Sequence, residues 1–248
     1  MGERLDPVAH DLSPCDTWGM ARLPKLRRRG LQPLTDARLI VGLGNPGPGY
    51  SGNRHNAGIR AAEHVRRMLK LPQPERESRY RVSQGTTPFG PVAVVLPRTF
   101  MNESGKAVQA LLDKYRADPS DLILLVDELD IEPGRIRIRP SGSDAGQRGM
   151  RSIKSVIGEL DFPRVRIGVG RPMVDGQPSR HPDDVADWLL SDPGSAERRL
   201  IHEAEVRSAE AVVHLLEHGV ESAMNLYNRN PSNEVPKAES ESSNVETQ

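Results

Sequence analysis

Leu39 to Asn56 reads LIVGLGNPGPGYSGNRHN, and the way this stretch breaks decides the fold. The apolar run from Ala37 to Leu43 has the character of a buried strand. Gly44-Asn45-Pro46-Gly47-Pro48-Gly49 then lets neither helix nor strand continue. Arg54-His55-Asn56 stands just before a helical pattern, with Ile59, Ala62, Val65, Met68 and Leu69 on one side and Arg60, Glu63, Arg66 and Arg67 on the other. A strand end, a rigid loop and a helix start thus bring an amide, an aromatic ring and an imidazole together at the edge of an α/β sheet.

Gly42-Leu43-Gly44-Asn45-Pro46-Gly47 also spells the dinucleotide fingerprint GxGxxG. That fingerprint requires its glycines to open a helix whose N-terminus meets a pyrophosphate. Here Pro46, Pro48 and Gly49 delay the helix to about Asn56, and the acid expected further on, Glu63, falls inside that helix. No nucleotide cofactor is expected.

Outward from this stretch, strands and helices alternate. Tyr80 to Gly85 and Pro91 to Leu96 read as strands around a turn containing Gly85, Pro88 and Gly90. Pro97 to Gly105 is a loop feeding a helix with Val108, Leu111, Leu112 and Tyr115 inward. Leu122-Ile123-Leu124-Leu125-Val126 is a strand covered on both faces, stopping at Asp127-Glu128-Leu129-Asp130. Arg135-Ile136-Arg137-Ile138-Arg139 alternates as a half-buried strand. A small-residue loop, Ser141 to Gly149, leads to a helix with Met150, Ile153, Val156 and Ile157 inward, then to a strand, Arg164 to Val169. Met173 to Pro182 reads as a polar loop and Asp183 to Leu190 as a short helix. Ser195 is an N-cap candidate for a helix from Ala196 to Glu217, with Gly219 at its end and a last helical piece to Asn228. The pattern predicts a single α/β globular domain around a mixed β-sheet flanked by helices.

Its expected bounds are residues 36–229, with a flexible extension at 1–35 and a disordered tail at 230–248. The extension carries a short basic run, Lys25 to Arg29, read as solvated. With 34 basic and 34 acidic side chains the formal net charge is +0, so the whole-molecule field does not favour nucleic acid. The single cysteine, Cys15, excludes an internal disulfide. No apolar run reaches membrane-spanning length, and the acids at Glu3, Asp6, Asp11 and Asp16 do not fit a transit peptide. A cytoplasmic protein without a membrane partner is expected.

The candidate chemistry lies at the loops. Asn45 and Asn56 flank His55 in the chain, Asn102 sits at another loop-to-helix junction, and Asp127 ends an apolar strand. Ligand sites in open α/β sheets form outside such strand ends. A carboxylate on one imidazole nitrogen fixes the tautomer, so that the other nitrogen can take a proton from water. Asparagine amides can donate to a carbonyl oxygen as it gains charge. No serine or cysteine sits in a GxSxG context, so attack by activated water is the natural mechanism. A Mg²⁺ site on Asp127, Glu128 and Asp130 requires an unusual turn, because adjacent strand residues point to opposite faces. No metal is expected. Arg135, Arg137, Arg139, Arg148, Arg151, Lys154, Arg164, Arg166 and Arg171 face few acids in their part of the chain. They read either as solvated charge or as a phosphate-binding patch.

Four ordered blocks, LIVGLGNPGPGYSGNRHNAG, PRTFMNESGKAV, ILLVDELDIEPGRIRIR and FPRVRIGVGRP, closely resemble the bacterial-type peptidyl-tRNA hydrolases. The resemblance covers about residues 37–229. It implies a single α/β globule with a twisted mixed sheet. It also implies a carboxylic ester hydrolase that cleaves the bond between peptide and terminal tRNA ribose without a metal, releasing stalled peptidyl-tRNA. Carried over by motif, His55 would be the general base and Asp127 its orienting carboxylate. Asn45 would help read the blocked peptide end and spare aminoacyl-tRNA. Tyr50, Phe100 and Asn102 would line the peptide and tRNA 3′-end site, with Met101 packed beside them. A monomer with peptidyl-tRNA as its partner is expected. One departure stands out. The family's glycine-rich loop usually carries His-Asn, and here the matching residues are Gln147 and Arg148. An arginine there can donate to phosphate or carbonyl with altered geometry. The alternative reading is a catalytically weak or silent RNA-binding relative of the same fold.

Overall fold

The computed structural model describes residues 31–158 and 160–229. The expected tail at 230–248, most of the extension and the basic run at Lys25 to Arg29 lie outside the described residues.

Seven strands make one sheet. They are β1 (Arg38–Gly42), β2 (Glu75–Arg76), β3 (Tyr80–Thr87), β4 (Gly90–Pro97), β5 (Leu122–Glu128), β6 (Ile136–Arg139) and β7 (Arg164–Gly168). The order is β2-β3-β4-β1-β5-β7-β6. The four central strands, β4, β1, β5 and β7, run parallel, while β2, β3 and β6 pair antiparallel at the two flanks. The chain leaves β1 toward one side and returns through β5 on the other. Such a switch opens a crevice at the carboxyl ends of the strands.

The period-two pattern of the strands sorts their residues onto two cores. Ile40, Val94, Ile123, Leu125, Val165 and Ile167 face α1 (Ala57–Met68) and α5 (Ser195–Tyr227). Leu39, Val41, Val95, Leu122, Leu124 and Val126 face α2 (Ser104–Tyr115) and α3 (Arg148–Ile157). The result is three layers, with α4 (Pro182–Leu190) lying toward the cleft. Leu31 and Leu34, which the sequence places in the extension, pack against the second core.

Two glycines set where α1 begins. A Cβ on Gly42 would lie 2.4 Å from the Gly58 carbonyl oxygen, and one on Gly58 would lie 2.3 Å from the Leu125 oxygen. Backbone on backbone at that range tolerates no side chain. The first turn of α1 is therefore pressed onto β1 and β5, and His55, just before it, is carried to the end of β5.

Several expectations need correcting. Gly85 lies within β3, opposite Val92, so the hairpin turn is confined to Pro88 and Phe89. Met173 to Pro182 is not merely loop: Met173–Val174 (β8) and Gln177–Pro178 (β9) form a small hairpin turned by Asp175 and Gly176, both with positive φ. The strand at Glu75–Arg76 was not apparent in sequence, being two exposed residues at the sheet edge. Gly194 caps α5, and Ser195 is its first residue. Gly219, with φ 83°, interrupts that helix where the sequence places its end. Among the described residues no helix is long and apolar enough to cross a membrane.

Candidate active site

Asp127 lies inside β5, paired with Ile167 of β7, and only 2% exposed. Its Oδ2 is 2.8 Å from His55 Nδ1. A carboxylate only accepts, so Nδ1 carries the proton and Nε2 keeps its lone pair. His55 is 6% exposed and lines a cleft of about 620 Å³, so the basic nitrogen has a buried anchor behind it and space before it.

The asparagines are fixed by reciprocal bonds. Asn56 Oδ1 accepts from Asn45 N–H at 2.8 Å, and Asn56 Nδ2 donates to Asn45 C=O at 2.9 Å. Asn56 is thus a clamp on the GNPG loop rather than a member of the cleft lining. Asn45 Oδ1 accepts from Met101 N–H at 2.8 Å, tying the loop after β1 to the loop after β4. With its oxygen committed, Asn45 can offer only Nδ2 to a ligand. Asn102 lines the same cleft and is exposed. Tyr50 and Phe100 meet edge to face at 6.2 Å between centroids, and Phe100 is half exposed. Asn45, Tyr50, His55, Phe100, Met101, Asn102, Asp127 and Arg148 all line one cleft.

The neighbouring acids part company. Glu128, one residue along β5 and also at the cleft, binds Arg166, its Oε2 accepting from Nε at 2.6 Å. Asp130 accepts from Arg171 Nε at 2.6 Å, a bond that holds its carboxyl below the usual range. The three acids therefore serve three separate donor sets and do not share a ligand position.

These same contacts take three arginines out of the expected basic patch. Arg164 is buried, donating to the carbonyls of Leu160, Ser143 and Gly142. Arg166 and Arg171 find Glu128 and Asp130, acids that lie well before them in sequence. Arg135, Arg137, Arg139 and Lys154 have no ion pair among the described residues and lie outside the cleft, while Arg148 and Arg151 line it, joined by Arg171 and Arg180. A count of charges along the chain could not show this, because the partners come from another strand.

Among the described residues, one cluster has metal-ligand spacing: His64, His202 and Glu205, with ligand atoms within 4.8 Å of one another. It is already committed. Glu205 Oε1 accepts from Arg60 Nε at 2.7 Å, and Arg60 also donates to the Ser51 and Asn53 carbonyls at 2.8 Å. Burial first, then Arg67 and His202, lowers the pKa of His64. The cluster ties α1, α5 and the loop bearing Tyr50 together.

Sequence reasoning overlooked one part of the site and left another without a role. Val185, Leu189 and Leu190 of α4 give the cleft an apolar wall, for which the sequence offers no sign. Gln147, which the resemblance sets at the family's usual histidine, stands at the N-cap of α3 and touches Asp127.

The chain is similar to known peptidyl-tRNA hydrolases. The family model described as Peptidyl-tRNA hydrolase matches residues 39–235. A peptidyl-tRNA hydrolase of Syntrophomonas wolfei is 38% identical over 193 residues, covering 77% of this chain and 100% of that protein. One of Frankia alni is 40% identical over 189 residues, covering 76% and 92%. The crystal structure of peptidyl-tRNA hydrolase from Acinetobacter baumannii superposes with TM-score 0.70 at 32% identity, over 79% of this chain and 96% of that one.

Proposed function

The chain belongs to the peptidyl-tRNA hydrolase family, and from that membership we propose how its residues divide the work of hydrolysing peptidyl-tRNA. The enzyme cleaves the ester between peptide and tRNA. His55 is the general base and Asp127 its orienting carboxylate. The observation that carries this reading is the buried 2.8 Å contact between Nδ1 and Oδ2 with the other face of the ring at the cleft.

The steps follow from that contact. Nε2 takes a proton from a water molecule as the water oxygen attacks the ester carbonyl carbon. Asp127 stabilises the imidazolium that forms. Asn45 Nδ2 and the Asn102 amide are donors for carbonyl oxygens of the bound chain, including the one that gains charge. The imidazolium then returns its proton to the ribose oxygen as the carbon–oxygen bond breaks.

The fixed orientation of Asn45 suits selection of a blocked peptide. A donor facing the cleft pairs with an acyl carbonyl, and it repels the ammonium of an aminoacyl-tRNA, which only donates. Tyr50, Phe100 and the α4 wall offer apolar surface to the peptide and terminal base. Arg148 takes a phosphate or carbonyl. The silent RNA-binding alternative gains nothing from the geometry, since binding has no need of a buried His–Asp pair. The catalytic domain we propose is 36–229, with Leu31 and Leu34 joined to its core. We propose a monomer, and a substrate made in translation suits the cytoplasm.

The test is His55→Ala. Peptide release from purified peptidyl-tRNA should fall at least a hundredfold, with tRNA affinity retained within about threefold. Wild-type turnover in that variant would remove His55 from the role.

A further inference from the structure

We infer that Gln147 is a positioning residue for this hydrolysis: it holds Asp127 in place and so sets the orientation and basicity of His55. The inference rests on the His55–Asp127 reading above.

Gln147 Oε1 accepts from Met150 N–H at 2.9 Å, capping α3. Its Nε2 donates to Asp127 Oδ1 at 3.0 Å. The amide cannot be turned round, because a backbone N–H only donates and a carboxylate only accepts. Each end of the side chain thus fixes the other. Packing leaves little slack: a Cβ on Gly149 would come within 2.9 Å of Gln147 Oε1 and 2.5 Å of Met101 Sδ. Both oxygens of Asp127 are then occupied, Oδ2 by His55 and Oδ1 by Gln147. No other donor to Oδ1 exists among the described residues. A buried carboxylate short of donors is costly and free to rotate toward other partners.

The contact has a definite electrostatic sign. A donor on Oδ1 draws off part of the carboxylate's charge, which moderates its pull on the Nδ1 proton. Without that donor the carboxylate pulls harder on the Nδ1 proton and stabilises imidazolium more strongly. A helix cap alone has no such effect, and that difference separates the two roles.

Gln147→Ser keeps a good N-cap for Met150 N–H but is too short to reach Asp127. In the full-length chain it should fold and keep its cap, with the melting temperature lowered because Asp127 Oδ1 loses its donor. The ring titration of His55, read by NMR in the free enzyme, should differ from that of the wild type in the direction of a more stable imidazolium. The acid limb of the kcat/KM profile should move with it, and kcat should fall roughly tenfold with KM little changed. Gln147→His should restore both, one ring nitrogen accepting from Met150 and the other donating to Asp127. His181 Nδ1 already accepts from Asp183 N–H in this way at the start of α4. A Gln147→Ser protein with unchanged His55 titration and kcat overturns the inference. If that variant does not fold, a folded Gln147→His protein decides: wild-type titration and kcat support the role, and loss of either overturns it. The ring titration reads the grip of Gln147 on Asp127 whether or not His55 is the base, so failure here is distinct from failure of His55→Ala.

Discussion

Replacing Asp127 by Asn tests the site at the point where its hydrogen bonds are most constrained. The exchange is nearly isosteric, so the change is in donors and acceptors rather than in packing. Two donors converge on Asp127, His55 Nδ1–H and Gln147 Nε2–H. An amide has one acceptor atom and must disappoint one of them. Gln147 cannot adapt, because its own oxygen is held by Met150 N–H. If the new oxygen faces Gln147, the new NH₂ faces His55, Nδ1 must become the acceptor, and the proton moves to Nε2. The base is then lost outright. If the new oxygen faces His55, two NH₂ groups oppose each other in a buried site. Hydrogen bonds to a charged partner contribute about 1.5–3 kcal/mol each. With both disturbed, the barrier should rise by about 3–5 kcal/mol, a fall of roughly 10² to 10⁴ in kcat.

The assay is single-turnover release of peptide from saturating peptidyl-tRNA, alongside ¹⁵N NMR of the His55 ring and a melting curve. The fold and tRNA affinity should persist while Nε2 becomes protonated. The same geometry predicts a partial rescue. In Asp127→Asn combined with Gln147→Glu, the new carboxylate still accepts from Met150 N–H and now accepts from the new amide as well. The amide oxygen is freed to face His55, and Nδ1 regains its proton. Recovery of about tenfold over the single variant is expected, short of wild type because a carbonyl replaces a carboxylate. A single variant with kcat within about threefold of wild type, and Nε2 still unprotonated, would refute this account.

Two further outcomes concern the frame around the site. Arg54 is buried, binds Glu197 through Nε at 2.7 Å and NH2 at 2.5 Å, donates to the Trp188 and Ser191 carbonyls, and lies 3.5 Å over the Trp188 ring. Arg54→Ala leaves Glu197 and those carbonyls without their donor and should cost about 3–5 kcal/mol, read as a shift in the urea midpoint together with altered Trp188 fluorescence. His64 has its pKa lowered, first by burial and then by Arg67 and His202. The unfolded chain therefore binds its proton at higher pH than the folded one, so stability is full above the ordinary histidine range and declines as pH falls from about 6.5. His64→Gln should flatten that decline relative to wild type, measured as urea midpoints between pH 7 and pH 5, and an unchanged slope would count against it.

The parts of this protein that were legible in sequence are those that burial writes with a short period. Leu122 to Val126 announced a strand covered on both faces, and the structure sets it at the middle of the parallel sheet. The convergence of Asn45, His55, Asn102 and Asp127 was legible for a related reason. Each follows or ends an apolar strand, or opens a helix, and parallel strands send all such positions to one edge. Long polar side chains escaped this logic. Arg166 and Arg171 looked unpaired because their acids lie in another strand or loop, and a flexible stem can choose among partners that only the folded sheet brings near. Gln147 escaped for a different reason, since its role depends on which end of an amide faces which neighbour, and nothing in the residue type records that. Asp127 and Glu128 show where the two kinds of knowledge meet. Their opposite directions follow from strand geometry alone. Which of the two meets the imidazole is settled by Gly42 and Gly58, whose missing side chains let α1 start against β5 on the face Asp127 shares. Filling either glycine should therefore cost stability and catalysis together, because the displaced element both packs the core and delivers His55.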